Sequence, residues 1–259
     1  MKRFTSLVIG VSLALAGVAL ATGVLVPPGG LAARHYVFAQ AVQFGVLAVI
    51  TPALVVLGAP WQFAAAVSPG RHANTARRIA NARSHRARDV RVWLPLLMFI
   101  AIALVWRLPV VVDVLVRFPA VAFAEAISLL VAGGALWLEL VESPPFLPRI
   151  PRPLRAAFAA LAMWAIWASA YIMGFSRNAW FSALAQRAGH GLSTIADQEI
   201  AVALLWAIPG LCFAPVVYAS LIRWLRDSGD PDDELRGMAD GQAVPRLPRP
   251  PRGWRSPPR

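Results

Sequence analysis

The sequence predicts an all-α fold: a polytopic integral membrane helix bundle of about six transmembrane helices, with both termini in the cytoplasm. Apolar residues make up 58% of the 259 residues and the mean hydropathy is +0.59, whereas globular domains are about 45–50% apolar. Several stretches reach the roughly 20 apolar residues that cross a bilayer. Basic residues cluster between alternate stretches, which is how membrane proteins encode their orientation.

The apolar stretches are predicted to be helices, because backbone groups inside lipid must form hydrogen bonds within their own segment. They cover residues 5–26, 36–57, 92–112, 118–140, 156–175 and 199–225. The predicted domains are therefore a six-helix transmembrane domain, 1–226, and a cytoplasmic tail, 227–259. The tail is rich in Pro and Arg, so we expect it to be disordered or extended.

The first stretch also has the features of a cleaved signal peptide. It reads "MKRFTSLVIGVSLALAGVALATG", with a basic start, an apolar run and an Ala-x-Ala-like end. A retained helix is favoured because the apolar run continues through Val26. Removal of this stretch would also leave an odd number of spans.

The orientation follows from the distribution of Lys and Arg. Of the 25 basic residues, 20 fall in segments predicted to be cytoplasmic. The five in outer segments are Arg34, Arg107, Arg117, Arg177 and Arg187. The Arg-rich loop 69–91 is either a plain topology signal or a basic segment lying on anionic lipid headgroups. Topology thus explains the net charge of +12 without a nucleic-acid partner.

No catalytic signature is present in the sequence. There is no HExxH motif, no Gly-rich phosphate loop and no nucleophile–base pair, so we predict that the protein is not an enzyme. Cys212 is the only cysteine, which excludes an intramolecular disulfide and a CxxC motif. A small-solute transporter stays an alternative, although no inverted repeat with matching broken helices is visible. A purely structural membrane protein is the other alternative.

Polar side chains within the apolar spans are the candidate functional residues, because burial in lipid is costly for them. On the predicted topology they gather at the outer ends of the spans, while the inner halves show no comparable cluster. A site built from them would face the periplasm or the cell exterior. The candidates are Gln40, Gln43, Glu125, Asp197, Gln198, His35 and His190.

Each candidate also has a structural interpretation. Gln40 and Gln43 could simply form hydrogen bonds between helices. Asp197 could cap the sixth helix, which begins near it. Glu125 has no base in its own helix, so it is either protonated or paired with another helix. We expect it near Gln43 or Gln198.

Several segments resemble the CtaG-type cytochrome c oxidase assembly factors. "TPALVVLGAP" follows a helix start that carries glutamines, and "ADQEIAVALLWAIPG" leads into "YASLIRWLRD". "VWRLPVVVD" and "GGALWLELV" also match, and the similarity runs from about residue 25 to 227. The resemblance implies a multi-pass protein of the bacterial cytoplasmic (inner) membrane that is linked to copper delivery. Its implied partners are cytochrome c oxidase subunits or another assembly factor, together with membrane lipids.

The sequence departs from this family at the positions that would bind copper. Family members carry a His-x-x-Gln-His pattern ahead of the proline motif, and here the two histidine positions hold Gln40 and Phe44. A family histidine in the fourth helix is replaced by Ala126. The resemblance then implies that Gln43 matches the glutamine of the family pattern and that Gln40 is a polar residue at a vacated histidine position. Because imidazole and sulfur are the donors that copper prefers, we predict weak or no copper binding by this chain alone.

Overall fold

The structure is a computed structural model that describes residues 2–67, 92–118, 120–185 and 192–227, with side chains from residue 6 onward. Within these ranges the chain is helical and contains no strand, only an isolated bridge between Ser143 and Phe146. The predicted fold class, an all-α membrane helix bundle, is confirmed. The predicted tail lies outside the described residues except for Asp227 and stays a prediction, as does the cytoplasmic placement of both termini.

Five helices in the described ranges are long and apolar enough to cross a membrane, and a bent pair supplies a sixth span. We number the spans in chain order. They are span 1, Lys2–Leu25; span 2, Val37–Val67; span 3, the pair Leu94–Val105 and Pro109–Arg117; span 4, Val121–Leu140; span 5, Arg152–Phe175; and span 6, Thr194–Asp227. Two short helices, Gly29–Ala32 and Ser182–Ala185, lie between spans.

The chain divides into two units. Met1–Leu221 holds all the contacts described below, and Ile222–Arg259 is described only as far as the end of span 6 at Asp227. Within the first unit, span 2 is the central helix. In its apolar 18-residue stretch 72% is buried, against 17% in the corresponding stretch of span 1.

Span 2 changes its helical geometry at the proline motif. It runs as α-helix over Val37–Gly45, as π-helix over Val46–Ile50, and as α-helix again over Thr51–Gly58 and Pro60–Val67. Pro52 has no N–H, so an α-helix cannot be continuous there. The carbonyl oxygen of Ala48 and the Pro52 ring lie where a Cβ on Gly133 would be. Span 4 therefore approaches the irregular turn closely, and the two sequence motifs meet.

Span 1 packs against the inner half of span 2. The backbones of Gly10 and Gly58 are so close that a Cβ on either glycine would overlap the other's carbonyl oxygen. Thr51 Oγ1 donates a hydrogen bond to the Gly17 carbonyl at 3.1 Å. Small residues allow this approach between membrane helices. The retention of span 1 in the mature protein stays a prediction.

Span 3 is not the single helix predicted over 92–112. It breaks after Val105, resumes at Pro109, and bends by 69° between the two parts. The proline disfavours helical geometry at the residue before it, and Leu108 is extended, with ψ of 133°. The first part has 12 residues, about 18 Å, which is too short to cross a hydrocarbon core of about 30 Å. The first part therefore cannot cross on its own, and the break falls within the span.

Candidate functional site

A buried arginine occupies the space between spans 2, 4 and 5. Arg107 lies at the break in span 3 and is only 5% exposed. One of its N–H groups donates to Gln40 Oε1, and Gln40 Nε2 donates to Glu125 Oε1 at 3.4 Å. Gln40 and Glu125 are both 0% exposed. The amide thus links the guanidinium to the carboxylate, which also attracts it through space.

Two aromatic rings and a thioether complete the surroundings of this guanidinium. The Arg107 Cζ atom lies 5.6 Å from the Phe44 ring centroid and 5.1 Å from that of Phe181, within the range of cation–π attraction. Its Nη2 lies 3.6 Å from Met173 Sδ. We call these six residues the outer cluster: Gln40, Phe44, Arg107, Glu125, Met173 and Phe181.

One oxygen of Glu125 has no partner. Its Oε2 is buried and accepts no hydrogen bond from the described residues. Glu125 was expected at the outer end of the second or sixth helix, near Gln43 or Gln198, and its hydrogen-bond partner lies on the second helix but is Gln40. Gln40 lies about one turn into span 2 and Glu125 about one turn into span 4, so the two side chains are at similar positions along their helices. Gln40 is therefore a central member of the outer cluster.

Asp197 caps a helix, but not its own. Its two carboxylate oxygens accept hydrogen bonds of 2.8 Å from the backbone N–H groups of Val37 and Phe38, at the start of span 2. The predicted cap on span 6 comes from Ser193 Oγ, which accepts from Ala196 N at 3.1 Å. Asp197 thus supplies acceptors for the orphan N–H groups of a neighbouring helix. It fixes the start of the helix that carries Gln40.

Gln198 joins span 6 to the end of span 5. Its amide donates to the Met173 carbonyl at 2.8 Å, and its oxygen accepts from Trp180 N at 2.9 Å. Those contacts hold both ends of the segment that carries Met173 and leads to Phe181. Gln198 also lines an open cleft of about 420 Å³, together with Arg177 and Glu199.

The remaining candidates lie away from the outer cluster or outside the described residues. Gln43 lines a separate cavity of about 60 Å³, with Arg34 on the same wall. His35 is exposed, and its Nδ1 lies 3.0 Å from the Leu31 carbonyl one turn earlier. His190 lies outside the described residues. A shared site that contains all the candidates is therefore not seen in the described parts of the chain.

A buried ion pair lies at the opposite end of span 4. Glu139 is 0% exposed and forms an ion pair with Arg149, whose Nε donates at 2.7 Å and whose backbone N–H donates at 3.0 Å. We call this pair the inner pair. The sequence pattern hid it because Arg149 lies in a loop and was counted only as a topology signal.

The loop that carries Arg149 is fixed to span 2. Ser143 Oγ donates to the Val56 carbonyl at 2.6 Å. Trp61 Nε1 and Gln62 Nε2 both donate to the Pro144 carbonyl, each at 2.9 Å. Span 2 is thus held at both ends, by Asp197 at the outer end and by this loop at the inner end.

The outer cluster is a poor match for copper, the metal that the family resemblance implies. Copper takes imidazole or sulfur donors, and the one sulfur here, on Met173, faces a cationic guanidinium. Within the described ranges no group of three or more His, Cys, Asp or Glu side chains could hold a metal ion. The cluster is instead chemically suited to an organic cation, and Arg107 is present in it.

Arg107 is a candidate functional residue that sequence reasoning missed. It was assigned to an outer segment and treated as a topology residue. Its position within "VWRLPVVV" was the available signal, because an arginine inside an apolar run is by default a functional candidate. Pro109, two residues later, marked the break that turns it inward.

Comparison with known proteins gives one result. The family model of the cytochrome c oxidase caa3 assembly factor (Caa3_CtaG) matches residues 11–227. That range starts within span 1, ends with span 6, and includes the outer cluster and the inner pair. Neither the curated proteins nor the solved structures searched give a match. The chain therefore belongs to the family of cytochrome c oxidase caa3 assembly factors.

Proposed function

We propose that this protein assists the assembly of a haem–copper oxidase by binding an oxidase subunit or another assembly factor, and that it carries no copper ion of its own. It acts in the bacterial cytoplasmic membrane as a multi-pass protein and is not a catalyst. Family membership supports the assembly role. The observation that carries the rest is Arg107, whose positive charge lies among the polar residues where a metal would be sought.

Electrostatics supports this reading of the outer cluster. A second cation within about 4–6 Å of the guanidinium would be repelled strongly in a low-dielectric interior. Gln40 and Phe44 both face Arg107, so two of the positions where the family carries histidine contribute to holding an arginine. Any copper that reaches the oxidase would then come from a partner protein.

The proposal is tested by two measurements on the same strain and protein. Deletion of the gene should lower haem–copper oxidase activity, and the wild-type chain expressed in trans should restore it. Purified protein loaded with Cu(I) and washed with a moderate chelator should retain well below one copper per chain. Normal oxidase activity in the deletion strain would contradict the assembly role.

A different result would favour copper transfer with an altered ligand set. About one retained copper per chain, lost in Glu125→Ala or His190→Ala, would show that a substitute site exists. The double substitution Gln40→His with Phe44→His is the matched converse. A gain of copper in that variant would support the view that histidine positions have been vacated.

A further inference from the structure

We propose that the outer cluster is a binding site for a planar organic cation, and that its resident ligand is the guanidinium of the chain's own Arg107. Removal of that side chain would leave a pocket that accepts a free guanidinium. The inference does not depend on the role in oxidase assembly, since it concerns what the pocket binds.

The first argument is that every group around the guanidinium attracts a cation. Gln40 presents its amide oxygen and Met173 its sulfur, and each accepts a hydrogen bond from Arg107. The Phe44 and Phe181 rings lie within 6 Å of the guanidinium carbon, and the faces of aromatic rings carry negative potential. Glu125 adds a formal negative charge when its carboxyl group is ionised.

The second argument is that the site has an unused acceptor. Glu125 Oε2 is buried with no partner among the described residues, although a buried polar atom is normally hydrogen-bonded. The carboxylate reaches the guanidinium only through Gln40. A free guanidinium is not tied to a side-chain stem, so it can turn one of its N–H groups toward Oε2.

The third argument is that the pocket is held by groups other than Arg107. Asp197 fixes the start of span 2 beside Gln40. Gln198 fixes the backbone on both sides of the segment between Met173 and Phe181. Ser128 Oγ donates to the Glu125 carbonyl at 2.9 Å and accepts from Trp106 Nε1 at 2.8 Å. We therefore expect the backbones that carry the acceptors to keep their places when the arginine side chain is removed.

The test is chemical rescue of Arg107→Ala in detergent, followed by thermal unfolding. We expect the variant to melt below the wild type and millimolar ethylguanidinium to restore about half of the lost melting temperature, with saturation, as a bound ligand does. Ethylammonium and sodium at equal ionic strength should restore less, because they lack the planar fork. Adding Glu125→Gln to the variant should weaken the rescue. The control is Arg117→Ala at the end of span 3, which also removes a guanidinium but should not be rescued, because Arg117 is exposed and leaves no enclosed pocket.

Two outcomes would overturn the proposal. One is that ethylguanidinium gives no more stabilisation than ethylammonium in Arg107→Ala. The other applies even if that variant does not fold, and it uses Arg107→Lys and Arg107→Met, which have similar length. A cation site predicts that the lysine variant melts clearly above the methionine variant, so an equal or higher melting temperature for Arg107→Met would refute the idea.

Discussion

The outer cluster and the inner pair each bury a glutamate on span 4 with an arginine from another segment, yet they are built differently. At the inner end Arg149 contacts Glu139 directly and adds its backbone N–H, so both carboxylate oxygens accept hydrogen bonds. At the outer end an amide separates Arg107 from Glu125, and one oxygen of Glu125 has no partner among the described residues. In the inner pair both oxygens of the glutamate are used, whereas the outer cluster still has a glutamate oxygen that could accept a hydrogen bond.

The difference separates a structural contact from a candidate site. A buried ion pair holds the fold well only when its geometry is direct and its remaining lone pairs are satisfied. The inner pair meets that condition and fixes the loop between spans 4 and 5. The outer cluster does not, although the described parts of spans 2 to 6 are positioned around it. We therefore regard the outer cluster as the candidate functional site and the inner pair as a structural contact.

The largest expected effect concerns orientation: the outer cluster and the inner pair are predicted to lie on opposite sides of the membrane. This prediction has an all-or-none test. Reporter fusions after Arg71 and after Arg226 should report cytoplasm, and a fusion near Arg187 should report the outside, as the 20 to 5 split of basic residues predicts. A periplasmic signal at Arg71 would overturn this orientation. The outer cluster would then face the cytoplasm, and a role at the exterior would have to be abandoned.

Neutralising each glutamate in turn measures the difference directly. Glu139→Gln should lower the free energy of unfolding by roughly 3 kcal/mol, because it leaves Arg149 without its counter-charge. Glu125→Gln should cost less, about 1 kcal/mol, because Gln40 separates the carboxyl group from Arg107 and a glutamine oxygen can still accept the hydrogen bond from Gln40. Both are measured by unfolding titrations in mixed micelles. Equal losses would mean that the outer cluster is as much a structural contact as the inner pair.

The sequence predicted the helices well but the contacts between them poorly. Hydropathy reveals a span because about 20 consecutive residues share one property, and five spans were found in this way together with the first part of span 3. The partner of a buried charge has no such signature. Arg107 lies 67 residues from Gln40 and 18 from Glu125, and only the break before Pro109 brings it inward.

Asp197 shows the same limit on a smaller scale. Its position at the start of span 6 correctly indicated a capping residue, because carboxylates accept from helix N–H groups. The sequence could not indicate which helix it caps. Span 2 begins beside span 6, so the carboxylate reaches Val37 and Phe38, and Ser193 takes over the local role.

The last prediction concerns that cap, which supports the outer cluster without being part of it. Asp197→Ala should lower the free energy of unfolding by roughly 2 kcal/mol, because two charge-assisted hydrogen bonds to backbone N–H groups are lost. Ser193→Ala is the matched control, and it should cost no more than about 1 kcal/mol, since it removes one neutral cap on the neighbouring helix.

The binding of ethylguanidinium by the outer cluster should also depend on Asp197 and not on Ser193. Span 2 starts at the capped residues and carries Gln40 one turn later, so Asp197→Ala added to Arg107→Ala should reduce rescue by ethylguanidinium, whereas Ser193→Ala should leave it unchanged. If neither substitution alters the rescue, the pocket is held by span 4 and span 5 alone, and the cap matters only for the stability of the outer end.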